Sequence, residues 1–352
     1  MRVTRRHTLL ATTLLLLGMA RARVGHADTP RYTPTIAVRG SLRVWGTPAM
    51  GPLLQAWEKG FRRYHPDVTF VETLKGSSTG IFGLAENVAD FAVMGRQMYT
   101  YESYGIYRRS LHLPVEVAVA NGSVDVPRKS FALAILVNRS NPLAGISLDQ
   151  LDGIFGAERT GGWQGLAWAQ DAARSAKANI RTWGQLGLKG EWADKPIHPY
   201  GPPGLYPGGV SFFQTKVLGG GDTMNEELRE VASPKAMMDA LAGDPYGIAY
   251  TGACYQTPGV RELPVSAKRG GPFVGLTRET VANETYPLAR QLYIYYAPDL
   301  PTGELGPEQG DPRVKEFVRF VLSAEGQSCV RADGDYVPLT ESSVRSQRLK
   351  LE

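Results

Sequence analysis

Along the chain, short apolar runs rich in β-branched and aromatic residues alternate with stretches in which apolar positions recur three and four apart. From Ser41 onward this alternation predicts an α/β sheet with mostly parallel strands. Ser41 to Trp45 reads as the first strand, and Pro52 opens a helix with Leu53, Leu54, Trp57 and Phe61 on one face and Lys59, Arg62 and Arg63 off it. Val68 to Leu74 and Asp90 to Met94 are further strands, with a helix-like run from Ile81 to Asn87 between them. Two β-rich runs, Pro114 to Val119 and Phe131 to Val137, bracket Asn121 to Lys129, whose Gly, Pro, Asp and Lys mark a connection where the chain would leave one lobe for another. Ser147 caps a short helix ending at Phe155, and an alanine-heavy helical piece, Ala167 to Ala178, lies in a Gly- and Trp-rich stretch. Ser233-Pro234 caps a helix carrying Met237, Met238 and Leu241. Gly247 to Thr251 and Gln291 to Tyr296 read as strands, and Val314 to Leu322 as the apolar core of a last helix.

Between the second strand and its helix lies Gly76-Ser77-Ser78-Thr79-Gly80. A helix starting at such a loop directs unpaired N–H groups and partial positive charge at whatever sits there, and the hydroxyls add donors. Phosphate, sulfate or a carboxylate would fit. The same five residues match a Gly-x-Ser-x-Gly nucleophile elbow with Ser78 as nucleophile, which needs an acid and then a histidine later in the chain. His112 comes too early and His198 lies in a strand-like segment, so catalysis is the weaker reading.

The first 27 residues form an export signal: basic Arg2, Arg5 and Arg6, an apolar run from Leu9 to Ala20, and small residues before a cut after Ala27. The Arg5-Arg6 pair is that of a twin-arginine signal. The five arginines of this segment account for the whole +5 net charge, so residues 28–352 are electrically balanced and neither nucleic acid nor an acidic membrane is favoured as a partner. That length exceeds what one core usually serves, which predicts two lobes. Cys254 and Cys329 can pair only if folding brings them together, and no Cys/His cluster has metal-ligand spacing; no cofactor is expected.

In their order these pieces resemble the phosphate-binding protein family of phosphate-type ABC importers. The resemblance rests on Gly46 to Met50 with Pro52-Leu53, on Gly76 to Ile81, on Ala89 to Arg96, and on Phe131 to Asn138 with Asn141-Pro142-Leu143. It continues through Tyr246 to Gly252, Tyr286-Pro287-Leu288-Ala289-Arg290, Ser323 to Gln327 and Tyr336-Val337-Pro338-Leu339. It implies a two-lobe periplasmic-binding-protein fold of type II, a Venus flytrap, with lobe I from 28–124 and 253–352 and lobe II from 125–252. It also implies a monomer that carries inorganic phosphate or a related oxyanion to an ABC importer permease in the inner membrane, without catalysis.

Carried over by position, the family's first-loop hydroxyl falls on Ala49 beside the amide of Met50, and the second-loop hydroxyl is Ser77, with Ser78 and Thr79 following. The third-loop Asp or Ser falls on Gly95, next to Arg96, for which a surface ion pair competes with a ligand contact. Asp90 reads as structural. In the second lobe the arginine position is Pro202, and Ser-Gly-Thr has become Pro207-Gly208-Gly209, which leaves the amides of Gly208 and Gly209 at a helix start. Losing an arginine and two or three hydroxyls would weaken anion binding by on the order of 4–8 kcal/mol. The competing expectation is a member of the same family that binds a different molecule through aromatic contacts from Trp163, Tyr200, Tyr206 and Phe212.

Overall fold

The computed structural model describes residues 29–164, 167–204, 207–221, 223–297 and 310–352; the export-signal segment 1–27 lies outside them. The chain begins with β1 (Gly40–Gly46), α1 (Gly51–Phe61), β2 (Val68–Leu74), α2 (Ser77–Ala85), β3 (Phe91–Met94), α3 (Thr100–Ser110) and β4 (Val115–Asn121). There follow β5 (Leu133–Asn138), β6 (Ile146–Ser147), α4 (Leu148–Phe155), the hairpin β7 (Gly162–Gln164) and β8 (Ala167–Ala169), β9 (His198–Gly201), α5 (Pro207–Val217), β10 (Arg229–Glu230) and α6 (Pro234–Gly243). Next come β11 (Gly247–Gly252), β12 (Val260–Leu263), β13 (Val265–Ser266), α7 (Arg278–Ala282) and β14 (Gln291–Tyr296), and the last elements are α8 (Pro312–Val321), α9 (Ala324–Asp333) and α10 (Glu341–Arg348).

Two five-stranded sheets organise these elements, one ordered β2-β1-β3-β14-β4 and the other β10-β9-β11-β5-β12. β1 runs parallel to β2 and β3, and β14 is antiparallel to β3 and β4. Leu53, Leu54, Trp57 and Phe61 of α1 are fully buried with Phe317 and Phe320 of α8 on one face of the first sheet, while Ile81, Leu84 and Ile106 of α2 and α3 cover the other. β5 shows the period of two that a sheet covered on both faces requires: Leu133, Ile135 and Val137 pack beneath α4 and α5, and Ala134 and Leu136 meet α6. The expected α/β, two-lobe, type II architecture is therefore the observed one.

Two expectations need correction. The lobe boundary at residue 253 is too early: β12 pairs antiparallel with β5, and Val265, Val281, Tyr286 and Leu288 pack in the second core, so the chain returns to the first sheet only at Arg290. The two crossings lie side by side, with Gly122 N donating to Arg290 O at 2.6 Å and Leu133 N to Leu288 O at 3.1 Å. The helix expected over Ala167 to Ala178 is instead β8 and two single 3-10 turns at Gln170–Ala172 and Ala176–Ala178. That segment has no apolar stripe. Arg174 turns inward, donating to Asp152 Oδ1 at 3.3 Å and Gly156 O at 2.6 Å, which fixes an extended path.

Candidate functional site

The parallel strands β1, β2 and β3 end together, so the loops at their carboxyl ends, residues 47–50, 75–79 and 95–99, face one crevice. Close packing brings the second loop in. A Cβ on Gly80 would lie 2.8 Å from Ala92 Cβ, so glycine lets α2 lie directly on the sheet. Within the first loop, Thr47 starts a 3-10 turn; Met50 N donates to Thr47 O at 3.2 Å, and the Met50 side chain is fully buried. The Met50 amide expected to face a ligand is thus engaged in its own turn. Ala49 N reaches Thr47 Oγ1 at 3.4 Å, and Ala49 O accepts from Tyr336 at 2.8 Å.

At the second loop, Thr79 Oγ1 donates to Gly76 O at 2.7 Å, so this hydroxyl is consumed by the start of α2. Ser77 Oγ accepts from Gly95 N at 3.3 Å, and Ser78 Oγ accepts from Arg96 Nη2 at 2.9 Å. The amides of Ser77 and Ser78, in the first turn, have no intrahelical acceptor. Arg96 is only 1% exposed; it forms a forked pair with Glu102 at 2.6 and 2.7 Å and stacks 4.3 Å from the Tyr99 ring. It is an ion pair, as weighed from the sequence, but a buried one that holds Ser78 rather than a surface contact. Asp90 accepts three hydrogen bonds from Arg43 and is structural, as read.

The apparent gap at Gly95 is filled from elsewhere: any Cβ there would collide with Ser130 Oγ, contributed by the first crossing. Ser130 thus places a hydroxyl where the family's third-loop side chain would stand. Reading residues one loop at a time misses it.

The larger omission is Arg290, at the second crossing. Its side chain is buried, 6% exposed, makes no hydrogen bond or ion pair with the described residues, and leaves Nε without a partner. Nη2 lies 2.8 Å from where a Cβ of Gly208 would be, so the guanidinium is pressed against the amino end of α5, and glycine at 208 is what admits it. Burial lowers the Arg290 pKa to about 10, offset in part by Tyr293 and Tyr336 and reinforced by Arg96. A buried cation beside helix-start amides makes this spot favourable to negative charge. The only signal in sequence was the position of Arg290 at the end of the Tyr286-Pro287 segment.

Among the expected aromatics, Phe212 and Trp163 line an interlobe cavity of about 520 Å³ together with Tyr99 and Tyr101. Tyr200 does not; it is buried in the second lobe and donates to Asp244 at 2.8 Å, and Tyr206 lies outside the described residues. His198 also bonds Asp244, at 2.7 Å, in the second lobe, whereas Ser78 pairs with Arg96, so the elbow geometry is not assembled around these residues. Cys254 and Cys329 are both free thiols, and burial pushes Cys254 up to about 11. Among the described residues no group of His, Cys, Asp and Glu could hold a metal, and no helix is long and apolar enough to cross a membrane.

The PBP superfamily domain matches residues 33–325. Over 312 residues the chain is 32% identical to the phosphate-binding protein PstS of Pseudomonas aeruginosa, covering 88% of this chain and 86% of that protein. The chain belongs to the phosphate-binding protein family. A more distant member, PstS of Staphylococcus saprophyticus, is 24% identical over 96% of this chain and 90% of its own length. The same fold is seen in PstS from Borrelia burgdorferi, with TM-score 0.55, 18% identity and coverage of 86% of this chain and 100% of that one. An ABC-type phosphate transport receptor from Vibrio cholerae has TM-score 0.52 and 19% identity, over 84% of this chain and 99% of its own.

Proposed function

We propose that the protein is a periplasmic receptor that captures phosphate or a related oxyanion between its lobes and delivers it, as a monomer and without catalysis, to an ABC importer permease. The observation that carries this reading is the unpartnered Arg290 guanidinium against Gly208. In this arrangement Arg290 takes the place of the arginine lost at Pro202. The amides of Gly208 and Gly209 supply donors from the second lobe, and Ser77, the Ser78 amide and Ser130 complete the grip. One charge-assisted bond contributes roughly 1.5–3 kcal/mol and each neutral one about 0.5–1.5, so this set recovers much of the affinity that the altered loops forfeit. Family membership supports the transport role, and the basic and apolar pattern of residues 1–27 supports export, with Arg5-Arg6 fitting the twin-arginine route.

Calorimetric titration with phosphate, arsenate and sulfate tests the reading. Low-micromolar or tighter phosphate binding that Arg290→Gln weakens is the expected result; no heat with any of the three would overturn it.

A further inference from the structure

Beside Gly208, within the second lobe, lies a cavity of about 360 Å³. Gly208, Leu133, Pro202, Met237, Tyr250 and Tyr255 are among its walls, which are mainly apolar. That volume falls in the range that holds small organic molecules, and equals the liquid volume of about a dozen waters, far more than a bare tetrahedral anion needs. One feature shows that it is more than a packing defect. Pro202 lines it at the position where the resemblance places an arginine, so the side chain that would cross this space is absent. The Tyr250 ring, stacked on Phe213 at 4.0 Å, forms one of its apolar walls.

Gly208 is the seam between this cavity and Arg290, since it lines the one and touches the other. We propose that the ligand is a phosphoryl group carrying a compact, mainly apolar substituent, such as an aryl phosphomonoester or phosphonate. The oxyanion meets Arg290 and the start of α5, and the substituent fills the cavity toward Tyr250. This inference rests on the anion-capture reading above and narrows its substrate class.

The test compares inorganic phosphate, phenyl phosphate and phenol by calorimetry on the purified protein and on two variants. Phenyl phosphate should bind on the order of tenfold or more tighter than inorganic phosphate, because a buried ring withdraws roughly 100 Å² of apolar surface from water. Ala232→Phe, at the exposed rim of the cavity, should abolish that advantage while leaving inorganic phosphate binding intact, which also shows that the variant is folded. Arg290→Gln should weaken both anions, and phenol alone should bind weakly. Equal affinity for the two anions, or an advantage that survives Ala232→Phe, overturns the substituent pocket and leaves the anion site standing. If neither anion binds, the anion reading falls and this inference with it.

Discussion

Replacing Arg290 by methionine removes the charge while keeping an unbranched chain of similar reach. The guanidinium is buried with no partner among the described residues, and burial lowers its pKa from the ordinary arginine value to about 10. At 1.36 kcal/mol per unit, that shift corresponds to a penalty of roughly 3 kcal/mol. Because the folded pKa lies below the unfolded one, the penalty is fully present below about pH 10 and is relieved only as pH climbs above it. At neutral pH, Arg290→Met should therefore stabilise the empty protein, by about 1–2 kcal/mol once lost packing is deducted, which for a chain of this size raises Tm by a few °C. Ligand response should move the opposite way. Phosphate at about a hundred times its Kd adds roughly 2.7 kcal/mol to the parent, and the variant should lose most of that increment as its Kd rises about 10- to 100-fold. Thermal melting with and without phosphate, paired with calorimetry, reads both effects. A variant that melts lower than the parent yet keeps its phosphate-dependent shift would refute the argument, since Arg290 would then be a structural residue with unseen partners.

Gly208→Ala places a Cβ 2.8 Å from Arg290 Nη2, so phosphate affinity should fall about tenfold or more with little change in the melting temperature of the empty protein. Ser130→Ala should lower phosphate affinity by about 0.5–1.5 kcal/mol and sulfate affinity by less, because a hydroxyl can accept the proton that only phosphate carries at neutral pH; equal losses in calorimetry would count against that role. Glu58 is pushed up to about 7 by burial and then by Glu72, so the folded state holds its proton and stability falls as pH rises from about 4.5 to 7. Glu58→Gln should consequently add about 1–2 kcal/mol at pH 8 and almost nothing at pH 4.5, as measured by urea denaturation. Glu102→Gln unpairs the buried Arg96 and should cost about 3–5 kcal/mol in the same assay.

Elements with a strong local pattern were legible from residues alone. The stripe Leu53, Leu54, Trp57 and Phe61 identifies α1, and the bounds of β2 and β14 coincide with their apolar runs. The alanine-rich run 167–178 misled because intrinsic helix propensity is weak beside a buried guanidinium that pins the chain, as Arg174 does at Asp152. Of the proposed anion site, the sequence pointed only to Ser77 and to Gly208-Gly209. Arg290 and Ser130 acquire their proposed roles because the two crossings lie side by side, a juxtaposition that no spacing encodes. Gly95 looked like a lost ligand for the same reason: its missing side chain is replaced by a hydroxyl 35 positions later.

The strand order also sets a timetable for biogenesis. β3 and β4 are joined only through β14, which is made almost two hundred residues after β3 ends. At synthesis rates of about 5–20 residues per second, the first sheet waits roughly 10–40 s with its halves unbridged. β5 to β13, by contrast, are contiguous in the chain, so the second lobe can close while the first is still incomplete, an order that pulse-labelled hydrogen exchange during refolding would register. Until Arg290 emerges and β14 inserts, the nascent protein lacks both the strand that bridges its first sheet and the cation of the proposed anion site, and α8 to α10 must still pack onto that sheet before the first lobe is complete.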